Sequence, residues 1–388
     1  MLATSNPIVS IVRDTDLEAK VVKALNLIGG IEKTVTKGDK VLVKPNMVDG
    51  ASPETGETVH PEVAFTVVKL AQAAGASRVV VGESPTWKDL SLHRLYERIA
   101  KELGAEMVNF NEQPFDEVPV RDPVCFKTVK IARALRECDT FISVPTLKTH
   151  HLAGLTVAIK NYYGVIPLGD KRNYHRMDRV EEAIVDLSQA RPTDLVVVDG
   201  TFSTHHIPPF WKQRLDLCIA GRDPVAVDAV SAKVIGVEPT SLRFLKWAEE
   251  KGLGIRDLNK IEVKGISIQE AYRQSTATSV DLVNQRVRWA RLVNAGACSG
   301  CYGRVPTDMY RYFKEGDAQV EPIYILMGPK AQMPPDTDRV VLCGNCAAPT
   351  FYNGLRGLFV PGCPPSLEEF HKALATLGAP QGGRRWTD

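Results

Sequence analysis

Short runs of consecutive apolar residues alternate with helix-periodic stretches over the first 265 positions of the chain. Ile8–Val12, Lys40–Lys44, Val79–Gly82, Thr140–Val144, Leu195–Val198 and Leu217–Ala220 read as strands. They are continuously apolar rather than alternating, the pattern of strands covered on both faces. Between them, apolar positions at helical spacing predict helices over Asp16–Leu27, Pro61–Ala74, Asp89–Leu103, Asp178–Gln189 and Pro224–Val234. The punctuation agrees: Pro61 suits a first helical position, Gly75 a helix end, and Asp223 an N-cap ahead of Pro224. Trp247–Gly254 and Ile261–Gly265 close the region. The expected fold class is α/β, a mostly parallel sheet or sheets with helices on both faces. From about Ile266 the rhythm breaks into sequence richer in Gly, Pro and Cys. The division expected is therefore 1–265, an α/β body of one or two lobes with a cleft at its strand ends, and 266–388, a small, loop-rich, cysteine-rich domain.

A length of 388 residues suits two or three domains rather than one core. A net charge of +2 offers no electrostatic case for nucleic acid or an anionic membrane. No signal-peptide pattern opens the chain, and no apolar stretch approaches the roughly 20 residues that span a bilayer. The expectation is a cytoplasmic protein, in which clustered cysteines are ligands or catalysts rather than disulfides. Nucleotide-binding glycine fingerprints and a nucleophile elbow are absent.

Several strand ends carry unusual residues. The second strand runs into Lys44-Pro45-Asn46, the third into Glu83-Ser84-Pro85, the next into Pro145-Thr-Leu-Lys148-Thr-His150-His151, and another into Asp199-Gly200-Thr201. In doubly wound sheets ligands bind beyond the carboxyl ends of the strands, so these loops would converge on one crevice. Beyond Lys148 the sequence continues to Lys160-Asn-Tyr-Tyr163-Gly164, then Lys171 and His175, placing three lysines and three histidines within 28 residues. Lysines bind carboxylate or phosphate as point charges, and histidines move protons near neutral pH. Lys44, Asn46, Glu83, Ser84, Lys160 and Asp199 are accordingly the candidate substrate-binding residues, with Lys148, His150 and His175 as candidate catalytic ones. The bland alternatives are solvated loop tips and a basic surface helix. Asp228, an acid inside an apolar helix, is expected to be half of a structural ion pair.

The last quarter holds Cys298-x-x-Cys301, Cys343-x-x-Cys346 and Cys363 in Pro-Gly-Cys-Pro-Pro, against three scattered cysteines in the preceding 297 residues. Soft thiolates select zinc or an iron–sulfur cluster. The 41 residues between Cys301 and Cys343 exceed a usual zinc-ribbon spacing, and the glycines around the thiols leave room for sulfide, favouring a [4Fe–4S] cluster with zinc as the alternative. Four ligands suffice for such a cluster, so the fifth thiol is spare or part of the chemistry.

The series Lys-Pro-Asn, Gly-Glu-Ser-Pro, Val-Pro-Thr-Leu-Lys-Thr-His with Lys-Asn-Tyr-Tyr-Gly, and Asp-Pro-Val-Ala-Val-Asp, from about Val9 to Gly265, resembles the domain of unknown function 362 family. That resemblance implies a prokaryotic protein of the kind called uncharacterised iron–sulfur centre proteins. The family is distantly similar to the nickel-pincer lactate racemases, implying a two-lobed body with a cleft, although the racemase catalytic motifs are not evident. Val360-Pro-Gly-Cys363-Pro-Pro is also similar to a cluster-binding stretch of quinone-reductase and hydrogenase small subunits. The function expected is a cluster-dependent enzyme acting on a small anionic substrate, by reduction or by a non-redox elimination or hydration. The alternatives are a ferredoxin-like carrier serving an electron-transfer partner, and a zinc-stapled structural protein.

Overall fold

The computed structural model describes residues 6–48, 51–85, 90–150, 152–177, 179–205, 211–273, 279–297, 299–313, 321–334, 337–347 and 357–380. The strands of the body are β1 (Ile8–Arg13), β2 (Lys40–Pro45), β3 (Arg78–Glu83), β4 (Glu106–Asn109), β5 (Phe115–Pro119), β6 (Thr128–Ala132), β7 (Thr140–Val144), β8 (Thr146–His150), β9 (Gly154–Thr156), β10 (Leu195–His205), β11 (Trp211–Gly221) and β12 (Glu262–Gly265). One sheet runs in the order β12-β1-β11-β10-β7-β2-β3-β4, with β8 joined to β10 and β9 to β8. Its pairings are parallel except around β11, which runs against both β1 and β10, and in the β8–β9 hairpin. β5 and β6 form a separate two-stranded antiparallel ribbon.

Side-chain alternation divides the core into two layers. Val41 and Val43 of β2 face the helices Leu17–Leu27, Pro61–Ala73 and Ser91–Glu102. Leu42 faces the other layer, which contains the helices Val180–Ala190, Pro224–Val234 and Arg243–Glu250. Each such fully buried aliphatic side chain is worth about 1.5–3 kcal/mol, which is why the apolar runs were the most legible elements. The expected punctuation is present too: Asp223 accepts from the Ala226 amide as N-cap, and Gly75 leaves its helix at φ 95°.

The final segment departs from the loop-rich expectation. β13 (Ala290–Asn294), β14 (Ile323–Met327), β15 (Val340–Cys343) and β16 (Leu358–Val360) make a four-stranded, wholly parallel sheet. The helices Ser279–Arg286, Ser299–Tyr312 and Leu367–Thr376 share one core with its Ile325, Val341 and Cys343 face. Glycines and prolines here punctuate short strands; they do not replace them. The helix Ser299–Tyr312 also packs on β9 of the body, so this helix joins the final segment to the β8–β9 hairpin. No helix among the described residues is long and apolar enough to cross a membrane.

Candidate functional site

Pro145 ends β7, and the chain resumes pairing farther along β10 as β8, with Thr146 opposite Asp199. What read as a loop after a strand is therefore itself a strand, carrying Lys148 and His150. β9 returns antiparallel, setting Thr156 opposite Lys148 and Gly154 opposite His150, so each pair projects to a common side of the hairpin. The chain then enters a buried 3-10 turn, Lys160–Val165. This replaces the basic surface helix considered above. Asp228 fixes its entry: it accepts from the amides of Ala158 (2.6 Å) and Ile159 (3.1 Å). The ion pair expected for Asp228 is not what satisfies it; backbone donors are. Burial pushes this carboxyl up to about 7 even though both amides pull it down.

The sequence-chosen lysines meet different fates. Lys44 is wholly buried and donates to Glu83 Oε2 (2.6 Å), Asn161 Oδ1 (2.6 Å) and the Pro45 carbonyl (2.9 Å). Gly164 lies against that pair; a Cβ there would come within 1.9 Å of Glu83 Oε1 and 2.3 Å of Lys44 Nζ. Glu83 Oε1 also accepts from the Ser84 amide, and Ser84 Oγ donates to the Ile166 carbonyl at 3.0 Å. Lys148 donates to the Glu57 carbonyl (2.7 Å) and carboxylate (3.0 Å). Lys171 donates to the Ser84 carbonyl. Burial lowers the ammonium pKa of both Lys44 and Lys148 against the pull of their glutamates.

Lys160 differs. It has neither a hydrogen bond nor an ion pair with any described residue, and its Nζ lies 3.8 Å from the centre of the Tyr163 ring. Burial and the positive charges of Lys148, Lys171 and Lys44 lower its pKa to about 7. Two buried hydroxyls of the same segment, Thr156 Oγ1 and Tyr163 Oη, also have no hydrogen-bond partner among the described residues. The Tyr163 ring stands edge-on to His175 at 5.2 Å, and His175 lies 6.4 Å from His150 between ring centres. His150 Nδ1 accepts from the amides of Leu152 and Ala153, which places its neutral-state proton on Nε2. His175 Nδ1 donates to the Lys171 carbonyl at 2.8 Å, which leaves Nε2 as an acceptor. Sequence thus named one uncommitted lysine and both imidazoles, and missed Thr156, Tyr163 and the Asn161 brace. Tyr163 was within sight, three residues past Lys160; nothing in its type marked it as unsatisfied.

Asp199 belongs to a different network. Its carboxylate accepts from Thr201, from the His60 amide (2.9 Å) and from His60 Nδ1 (3.0 Å), and it stands 3.8 Å from Lys20. Burial pushes this acid up, but His60 and Lys20 outweigh it and hold it at about 2. Asn46 accepts from Thr146 Oγ1 at 3.0 Å, tying β2's end to β8.

Among the cysteines, Cys298 lies outside the described residues, as does His151 of the lysine–histidine segment. Cys301 and Cys346 come together at Gly344, where a Cβ would stand 2.8 Å from one Sγ and 3.9 Å from the other. Hydrogen bonding from Cys301 lowers the Cys346 thiol to about 6. The Cys346 and Cys363 loops are laced together: the Asn345 amide donates to the Gly362 carbonyl (2.9 Å), and the Gly362 amide donates to Asn345 Oδ1 (2.7 Å). Cys363 is exposed. Cys343 is fully buried in β15 on the core side, and burial raises its thiol pKa. No three histidine, cysteine or acidic side chains among the described residues are grouped as a ready-made metal site.

The family model for "Domain of unknown function (DUF362)" matches residues 41–233. These residues belong to the DUF362 family. The match runs from β2 into the Pro224–Val234 helix, so the DUF362 region contains Lys44, Glu83, the β8–β9 hairpin, the Lys160 turn and Asp228. It ends before the cysteine-bearing sheet. A thylakoid-associated protein of Synechocystis sp. is 26% identical over 260 residues, covering 63% of this chain and 79% of that one. A crystal structure from Thermotoga maritima matches with TM-score 0.31 and 11% identity, over 60% of this chain and 58% of that chain. The lactate racemase apoprotein of Thermoanaerobacterium thermosaccharolyticum matches with TM-score 0.37 and 9% identity, over 96% and 91% of the two chains.

Proposed function

We propose that the DUF362 region is the body of an enzyme for a small organic anion, with a [4Fe–4S] cluster held by the C-terminal cysteines beside it. The observation that carries the substrate reading is Lys160, a buried lysine over the Tyr163 ring with neither a hydrogen bond nor an ion pair to any described residue, in a segment whose Thr156 Oγ1 and Tyr163 Oη are also buried without hydrogen-bond partners among the described residues. Buried polar groups are nearly always satisfied, and a bound carboxylate would satisfy these. Lys44 and Lys148 then act as structural charges: their glutamates neutralise them, and they shape the pocket electrostatically.

The His175 ring stands against Tyr163 and the His150 ring lies beyond it, bringing one Nε2–H donor and one Nε2 acceptor, the pair needed to deliver and remove a proton. The packing of Ser299–Tyr312 on β9 ties the cysteine unit to this hairpin.

The cysteine set fits a cluster in donor chemistry and in its glycine cradle. Cys301 and Cys346 meet at Gly344, Cys363 is laced to the Cys346 loop, and Cys298 lies three positions before Cys301 in the sequence. These four are the proposed ligands, and Cys343, sunk in the core, is the spare thiol. When bound, such a cluster supplies an electron or an open Lewis-acidic iron. This reading also keeps the protein in the cytoplasm, where thiols stay reduced.

The test is anaerobic purification with iron, zinc and sulfide analysis, followed by thermal-shift titration with a panel of organic acids. The reading predicts iron and sulfide in the protein, and a carboxylate-dependent shift that Lys160→Met abolishes. One zinc per chain without iron would replace the cluster with a zinc staple. Reversible cluster reduction with no response to any acid would favour an electron carrier over an enzyme.

A further inference from the structure

Of the candidate lysines Lys44, Lys148 and Lys160, only Lys160 has a nitrogen that no described residue engages by hydrogen bond or ion pair. Lys44 and Lys148 each face a carboxylate at hydrogen-bond distance, which accepts from the nitrogen and pulls it toward the ammonium form against burial. Lys160 faces an aromatic ring, with three other lysines close enough to oppose its charge. A buried lysine beside other cations is the arrangement that turns an amine into a nucleophile toward carbonyl carbon. We propose that Lys160 forms an imine with a 2-oxo carboxylate bound in this cleft. The proposal rests on the anion-site reading above and narrows it to one substrate class.

The step balances without an oxidant or cofactor. The Lys160 nitrogen lone pair adds to the carbonyl carbon while the carbonyl π pair moves to oxygen. One proton passes from nitrogen to that oxygen to give the carbinolamine; the second nitrogen-borne proton then passes to the hydroxyl, which leaves as water with the C–O bond pair as the nitrogen pair closes the C=N bond. The substrate carboxylate brings a negative charge to Lys160, whose surroundings supply more positive than negative charge: Lys148, Lys171 and Lys44 oppose it and Glu83 alone favours it. Tyr163 Oη and Thr156 Oγ1, both without a partner among the described residues, are the hydroxyls of this segment free to accept or donate to a bound carboxylate. The His150 and His175 imidazoles are the groups at hand for the proton. The lowered pKa of Lys160, about 7, agrees with this: a large fraction of the amine is neutral at physiological pH.

Borohydride trapping reads the step directly in the unaltered full chain. The protein is incubated near pH 7.5 with glyoxylate, pyruvate or 2-oxoglutarate and cyanoborohydride, which reduces an imine to a stable secondary amine, and the adduct is located by peptide mass mapping. The expected result is one dominant adduct at Lys160 with at least one of the three acids, about a hundredfold above that at the exposed Lys246. Adducts spread evenly over surface lysines, or none at Lys160 with all three acids, would overturn the proposal. Thermal-shift titration with lactate and acetate, which have no carbonyl to trap, runs alongside. Binding of these acids without any adduct sinks the imine and leaves the anion site standing, whereas failure of both removes the anion site as well.

Discussion

Lys44 Nζ and Glu83 Oε2 sit 2.6 Å apart on neighbouring parallel strands, with side-chain exposures of 0% and 3%. Asn161, from the turn that carries Lys160, accepts from the same ammonium and donates back to the Lys44 carbonyl and to Ser143. The pair is thus a buried peg between the sheet and the Lys160 turn. Removing one member strands the other charge, so Lys44→Met should lower stability by about 3–5 kcal/mol in denaturant titration. Gly164→Ala should act in the same direction, because its methyl group would meet the pair itself. A Lys44→Met protein of unchanged stability would show that the pair is not structural.

Asp228 sets a distinct pH dependence. Its folded pKa, about 7, lies above the unfolded value near 3.9, so the folded state holds a proton that the unfolded state has lost between those limits. Stability attributable to Asp228 therefore falls as pH rises from 4 to 7. Relative to wild type, Asp228→Asn should gain stability across that window, by no more than about 4 kcal/mol, with no further change above it. Parallel urea titrations at several pH values check the slope.

Asp199 acts with the opposite sign. Its folded pKa, about 2, is depressed, so its contribution is present above the unfolded value near 3.9 and is lost as pH falls toward 2. His60 faces Asp199 and Glu54. Burial opposes its charge, yet the two acids raise its pKa, so its contribution is complete at mildly acid pH and disappears as pH rises through the raised value. Asp199→Asn should therefore cost most near pH 5, on the order of 2 kcal/mol, and less at both extremes. A pH-independent loss would show that shape rather than charge matters at this position.

The cysteine assignments separate by metal content. Cys301→Ser and Cys346→Ser should each lose bound metal, because their thiols meet at Gly344. Cys343→Ala should keep the metal and lose only core packing, since its thiol is buried in β15. Metal loss in Cys343→Ala with retention in Cys346→Ser would reverse the assignment.

Legibility tracked burial on both faces. β7 and the Pro224–Val234 helix have the boundaries expected from sequence, because a continuous apolar run or a Pro-led amphipathic run admits few readings. β8 went unread because Thr146–His150 has a single apolar residue, Leu147, among polar and charged ones and follows Pro145, a sequence that resembles a loop until β10 and β9 supply its ladder partners. The strands of the final segment were missed for another reason. They are three to five residues each and separated by glycine and proline, so local pattern is weak until they stack in parallel.

By itself the sequence determined the α/β alternation, the DUF362 motif series and the residue types at the strand ends and the Lys160 segment, since those follow from side-chain periodicity and chemical identity. The tertiary structure decided which of those residues are spent on one another. Lys44, Lys148 and Lys160 are the same amino acid in one chain, but only the fold places a glutamate against the first two and a tyrosine ring beneath the third. The physical reason is that a charge's role depends on its distance to an opposite charge and to water, and both are set by residues tens to more than a hundred positions away.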